Sequence, residues 1–156
     1  SMAGHIDARL KELGIELPEA AAPVANYVPY TITGNLVFVS GQITFVNGEL
    51  QYPGRLGENV SVEDGQQAAR LCALNLVAQL KAACGGNLDK VTQVIKLGGF
   101  VNSTADFTDQ ALVINGASDL MYEVFEDKGK HGRAAVGCSV LPLGSSVEVD
   151  GIFEIA

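Results

Sequence analysis

The residues of this 156-residue chain best suited to chemistry are one arginine and one glutamate near its C-terminal end. Arg133 opens an Arg-Ala-Ala-Val run whose other positions are small or apolar. A guanidinium there carries a desolvation cost unless it reaches an edge or meets an anion. Two roles satisfy it. It pairs with Glu148 or another acid of the same fold, or it presents its planar fork to a carboxylate ligand, a geometry arginine suits better than lysine. Glu148 stands in Val147-Glu148-Val149-Asp150, where strand alternation puts both acids on one face and both valines on the other. The acids either line a solvated face or set a carboxylate beside a cleft, able to take or give a proton. If the last two strands pair as a hairpin, Arg133 and Glu148 share a site, as a salt bridge or as a two-part active site.

Other chemistries find little material. Ser40, followed by Gly41, ends an apolar strand with no histidine base near it in sequence, so a backbone-bonding role is the simpler reading. No phosphate-binding glycine loop, zinc-protease helix or nucleophile elbow is present. Cys72, Cys84 and Cys138 are odd in number and form no Cys-x-x-Cys pair, and His5 and His131 add too little for a zinc site. Buried, reduced cysteines in a cytoplasmic protein are expected. The net charge is -8 with ten Lys and Arg, and the one basic cluster is Lys128, Lys130, His131 and Arg133. Nucleic-acid affinity comes mainly from cations meeting phosphates, so no nucleic-acid partner is expected. No apolar run is long enough to span a membrane. No signal-peptide pattern stands at the N-terminus, where Ser1-Met2 reads as a tag remnant.

The elements that must position these residues follow from periodicity. At 47 % apolar residues the chain can fill one sizeable core. Residues 5–13 read as a short helix with Ile6, Leu10 and Leu13 on one face, ended by Gly14. Residues 18–23, with a proline at each end, read as a linker or arm, leaving one domain over 24–156. Residues 27–33 and 36–40 read as strands joined at Gly34-Asn35, the second as an apolar run buried on both faces and broken by Gly41-Gln42. A second tight turn is expected at Asn47-Gly48. Ser61 caps a helix running to about Cys84, where Gly85-Gly86 stops it. A strand over 91–101 carries Gly98-Gly99, which suggests a bulge or the close passage of a backbone or ligand. Asp106 caps a helix to about Phe125, with Asn115-Gly116 predicting a kink or a late start near Ser118. Strands over 132–140 and 146–156 complete the chain. Helices alternating with strands predict an α/β (α+β) fold: one mixed sheet with two helices on one face. Its other, mostly apolar face calls for cover by further subunits.

With these residues in place, the chain resembles the RidA (YjgF-like) reactive-intermediate deaminase family. Ser40-Gly41-Gln42-Ile43 is similar to the family's strand-end Ser-Gly-Gln-Ile. Arg133, followed eight residues later by Leu141-Pro142 and then by Val147-Glu148-Val149-Asp150, resembles its C-terminal signature. Gln67 through Asn75, Leu88-Asp89-Lys90-Val91 and Phe100 to Phe107 fit as well. Tyr27 stands seven residues before Gly34, as the family's site tyrosine does. The resemblance spans roughly residues 24–156, and the extended N-terminus and Leu141-Pro142-Leu143-Gly144 turn resemble a divergent branch. It implies a chorismate-mutase-like fold and a homotrimer whose sheets form a central barrel with clefts between subunits. It implies hydrolysis of reactive 2-imino and enamine acids to 2-oxo acids and ammonia, with no cofactor or metal. Carried over, Arg133 binds the substrate carboxylate and Ala135, where the family often has Cys, offers backbone groups near the imine nitrogen or water. Glu148 activates that water, Tyr27, Ser40 and Gly41 line the cleft, and Asn115 corresponds to the family's helix asparagine, with a different local length. A non-catalytic binder of small carboxylates or metabolite sensor is the alternative. An endoribonuclease, a label attached to the family, fits the acidic charge less well.

Overall fold

The computed structural model describes residues 4–22 and 25–156, so Ser1-Met2 and Pro23, the end of the expected linker, lie outside the described residues. Helix α1 (His5–Glu12) starts the described chain. Its first amides would be unpaired at the helix N-terminus. They are satisfied from a distance: the Asp89 carboxylate accepts from the N–H groups of His5 and Ile6 at 3.0 and 2.9 Å. Strands β1 (Tyr30–Thr33) and β2 (Leu36–Gln42) form the first hairpin. A small separate hairpin, β3 (Phe45–Val46) and β4 (Glu49–Leu50), turns at Asn47 and Gly48, both with positive φ as its two-residue loop requires. Helix α2 (Val62–Ala83) follows, capped by the Ser61 hydroxyl accepting from the Asp64 amide. Strand β5 (Val91–Asn102), helix α3 (Gln110–Phe125), strand β6 (Gly132–Cys138) and strand β7 (Val147–Ile155) complete the order.

The main sheet runs β1-β2-β7-β5-β6 and is mixed: β5 and β6 are parallel, the other pairs antiparallel. Helix α3 supplies the crossover that a parallel pair needs. The last two strands do not pair as a hairpin, because β5 lies between β6 and β7. Helices α2 and α3 cover one sheet face, and α1 docks beside α3. Val37, Val39, Val94, Leu97, Val101, Val147, Val149 and Phe153 point into that helix layer and are buried. Each such side chain contributes roughly 1.5–3 kcal/mol through removal from water. Ile6 and Leu10 of α1 belong to the same buried cluster.

Among the described residues no element covers the other sheet face. Phe38 and Val136 stand on it, exposed, although β2 read as buried on both sides. A continuous apolar run cannot distinguish a face packed against helices from one left for another subunit. Strand β2 also takes in Gly41 and ends at Gln42, its pairing with β7 slipping by a bulge between Val39 and Gln42.

The paired glycines of β5 mark close approach by side chains, with no bulge at that point. The strand runs on without a register shift there. A Cβ on Gly98 would stand 3.1 Å from Asp150 Cγ, and one on Gly99 would stand 2.6 Å from Ile114 Cγ1. Helix α3 differs from expectation at its start. Its N-cap is Asp109, while Asp106 accepts from the Thr104 hydroxyl at 2.6 Å. It is continuous through Asn115-Gly116, with no late start at Ser118. Gly116 is there because α2 crosses so closely that a Cβ would stand 3.0 Å from Gln66 Cα and overlap its carbonyl oxygen.

Candidate active site

The chemistry-bearing residues fall into two groups, and the sheet separates them. Leu97 of β5 pairs with Arg133 on one side and Gly151 on the other, and Leu97 points into the helix layer. Arg133 shares that face. Phe100, three residues on, pairs with Val136 and with Glu148, and so stands on the opposite face. Arg133 and Glu148 therefore lie on opposite sides of the sheet, and the intrachain ion pair considered for them does not form.

Arg133 reaches from edge strand β6 to the flank of α3. One terminal nitrogen, Nη1, donates to Asn115 Oδ1 at 2.9 Å and to Ser118 Oγ at 3.0 Å. The other, Nη2, donates to the Ala111 carbonyl at 3.2 Å. Ala111, Asn115 and Ser118 are spaced i, i+4, i+7 and form one stripe of the helix. The opposite side of α3 carries Val113, Ala117, Leu120 and Val124 into the core. Arg133 makes no salt bridge among the described residues. A guanidinium has five N–H donors. Three are used here, leaving Nε–H and one Nη2–H for an outside acceptor. Ala135 lies two residues along β6 on the same face, packed against the core. Asn115 thus sits beside Arg133.

The second group lines a cleft of about 800 Å³. Tyr27, Ser40, Gly41 and Glu148 meet there, with Pro142 and the arm residues Pro18 to Ala22 as further walls. Gln79 holds the arm by donating to the Ala21 carbonyl at 3.0 Å. The Ser40 hydroxyl donates to the Val28 carbonyl at 2.8 Å, and its amide donates to the Pro29 carbonyl at 2.9 Å. Ser40 is thus a clamp that ties the Tyr27 segment to β2. Glu148 lies directly against Gly41, where a Cβ would stand 3.0 Å from the Glu148 Cδ and overlap its carboxylate. The Glu148 carboxyl is pushed above the usual range, first by burial and then by the negative charge of Asp150. A raised carboxyl accepts and releases protons nearer neutrality, which suits it to proton transfer.

Two residues of this region were missed by reasoning from sequence. Ser118 and His131 complete the support of Arg133: Ser118 Oγ lies 2.9 Å from His131 Nε2, and His131 Nδ1 lies 2.6 Å from the Gly129 carbonyl. The signal available was polar Asn115 and Ser118 three positions apart on one side of the helix. Cys72 and Cys84 are buried, Cys138 is half-buried, and all three are free thiols. Burial pushes the Cys72 thiol far up, so it stays protonated. Among the described residues no cluster of His, Cys, Asp and Glu is placed to hold a metal ion. No described helix is long and apolar enough to cross a membrane.

Comparison with known proteins gives this geometry a frame. The family model described as "YjgF/chorismate mutase-like, putative endoribonuclease" matches residues 7–155. The match takes in most of α1, beyond the span over which motifs alone showed a resemblance. Protein TCP17 of Trypanosoma cruzi is 49 % identical over 153 residues, covering 97 % of this chain and 95 % of its own. A crystal structure of an Agrobacterium tumefaciens protein of unknown function superposes with a TM-score of 0.91 at 52 % identity, covering 97 % of this chain and 92 % of that one. A 2-iminobutanoate/2-iminopropanoate deaminase of Dermatophagoides farinae is 27 % identical over 144 residues, covering 90 % of this chain and 94 % of its own.

Proposed function

Because the chain belongs to the YjgF/chorismate mutase-like family, the RidA-like proteins, we propose that it hydrolyses reactive 2-imino and enamine acids to 2-oxo acids and ammonia. The carrying observation is the state of Arg133: three hydrogen bonds hold it on α3, and among the described residues it has no carboxylate partner and two of its N–H donors remain open. Such a fork suits a ligand carboxylate. The distant deaminase relative supports an imine as the reacting group.

The two groups of residues lie on opposite sheet faces, so a complete site draws them from two copies of the chain. Arg133, Asn115 and Ala135 come from one subunit, and Tyr27, Ser40, Gly41 and Glu148 from its neighbour. The uncovered face with Phe38 and Val136 supplies apolar surface for that contact, as a homotrimer built around the sheets would use. Within the shared cleft, Arg133 fixes the carboxylate of the protonated imine. Water attacks the imine carbon: a C–O bond forms while the C=N π pair moves to nitrogen. Glu148 takes a proton from the attacking water and returns it to nitrogen; the C–N bond then breaks, ammonia leaves, and the C=O bond forms as the hydroxyl proton passes back to Glu148. The substrate is already electrophilic, so positioning and one proton shuttle are enough. The cytoplasm, where such imines arise, is the compartment this function expects.

The test follows imine lifetime. An amino-acid oxidase generates 2-iminobutanoate, semicarbazide traps it, and the protein is expected to suppress the trapped product. Arg133→Ala should lower that effect by roughly a hundredfold or more, as loss of a charge-assisted fork implies. No suppression by the wild type, or equal suppression by Arg133→Ala, refutes the proposal. Saturable binding of 2-oxobutanoate without turnover would instead make the chain a carboxylate binder.

A further inference from the structure

We infer that Ser118 and His131 are positioning residues that set the orientation of the Arg133 fork, through a hydrogen-bonded chain running from the Gly129 carbonyl to the guanidinium. The inference rests on the reading of Arg133 as a carboxylate grip and adds to it the device that aims the grip. The direction of each bond follows from what each atom can do. A backbone carbonyl only accepts, so His131 Nδ1 carries the proton it donates to Gly129, 2.6 Å away. In the neutral ring Nε2 is then an acceptor. The hydroxyl of Ser118, 2.9 Å away, donates to it. That leaves the Ser118 oxygen lone pairs facing Arg133 Nη1, which donates to them at 3.0 Å. Every donor in the chain meets an acceptor.

The far end is anchored. Gly129 is buried and packed so tightly on the last turns of α3 that a Cβ would stand 2.7 Å from the Met121 carbonyl carbon and 3.0 Å from Tyr122 Cα. Its carbonyl therefore has little freedom, and the imidazole it holds inherits that restraint. At the near end the chain decides which way the guanidinium plane faces. With both hydrogens of Nη1 occupied, by Asn115 and Ser118, the plane cannot turn about the final side-chain bond without breaking one of them. The open Nε–H and Nη2–H donors are thereby aimed in one direction. Remove Ser118, and Asn115 alone tethers Nη1.

Arg133, Ser118 and His131 therefore act as a unit, and the effects of Ser118 and His131 on carboxylate binding should pass through Arg133. Calorimetric titration with 2-oxobutanoate, on the full-length protein, tests this. Ser118→Ala and His131→Ala are each expected to weaken binding roughly fivefold to tenfold, the size of an ordinary net hydrogen bond. Ser118→Thr keeps the hydroxyl and should restore binding. Against an Arg133→Ala background the same substitutions should change nothing further, an outcome that a general loss of folding would not give. Binding weakened but still measurable in Arg133→Ala, and unchanged in both Ser118→Ala and His131→Ala, overturns this inference while leaving the carboxylate grip intact. Weakening that persists in the Arg133→Ala background overturns it as well. Absence of binding by the wild type would overturn the grip itself.

Discussion

Gly41→Ala separates the geometry of the proposed catalytic carboxylate from its chemistry. Gly41 does not need positive φ, so alanine fits the backbone of β2 without strain. The new methyl would overlap the Glu148 carboxylate oxygen and stand 3.0 Å from Cδ and 3.3 Å from Cγ. The carboxylate end is flexible and must retreat by on the order of 1 Å. That is enough to cost about a hundredfold in rate when the displaced atom handles a proton in the transition state. In barrier terms this is about 2.7 kcal/mol. Stability should barely move, because replacing a strand glycine by alanine gains roughly 0.5–1 kcal/mol of backbone entropy and offsets the small cost of turning the carboxylate. The assay is suppression of semicarbazone formation from enzymatically generated 2-iminobutanoate, read beside a thermal melt. The expected pattern is a melt within a few degrees of wild type and a rate near that of Glu148→Gln, with the double variant no slower than Glu148→Gln alone. Gly41→Ala turning over at the wild-type rate would refute the placement of Glu148 in the reaction.

Gly116→Ala should act in the opposite sense, on folding. Its Cβ would press on the Gln66 backbone, α2 and α3 would have to separate, and urea titration should show a loss of about 1–3 kcal/mol or more. Val136→Glu places a charge on the uncovered sheet face; light scattering should show a smaller assembly and the imine assay a parallel loss, and an unchanged mass would refute the shared cleft. The pH dependence follows from Glu148 and Asp150, both raised chiefly by burial. In the folded chain they hold protons that the unfolded chain has already released. Stability should therefore fall as pH rises from the ordinary carboxylate range through their raised values, and Glu148→Gln should flatten that slope and be more stable than wild type at neutral pH.

Much of the fold was legible because its signals are local. Ser61 and Gly85-Gly86 bracket α2 as expected, and Asn47-Gly48 makes the turn its residues require. The alternation in β7 correctly divides Val147, Val149, Gly151 and Phe153 from Glu148 and Asp150. The start of α3 was misplaced because Asp106 resembles a cap, yet its side chain is taken by the Thr104 hydroxyl. Gly116 argued for a kink on propensity alone. The closeness of Gln66, from a helix more than forty residues earlier, is a tertiary fact, and it reverses the meaning of that glycine.

The relation between Arg133 and Glu148 shows where a sequence stops carrying information about a site. Each residue's local setting was readable: an arginine opening a small-residue strand, and an acid alternating with valines. Whether they meet depends on which strand lies next to which. Helix α3 returns the chain to β5 as a parallel neighbour, which puts β6 at the edge, and β7 then enters between β2 and β5. From Leu97 to Phe100 the register is unbroken and the separation is odd, so the two residues must face apart. Opposite faces forbid an intrachain ion pair, and this is why Arg133 arrives at the surface with donors to spare. If the proposed cleft is shared between two copies of the chain, what reads as a missing partner within one chain makes the site depend on assembly. Activity per subunit should then fall on dilution as the assembly dissociates, whereas a site complete within one chain would keep its specific activity at every concentration.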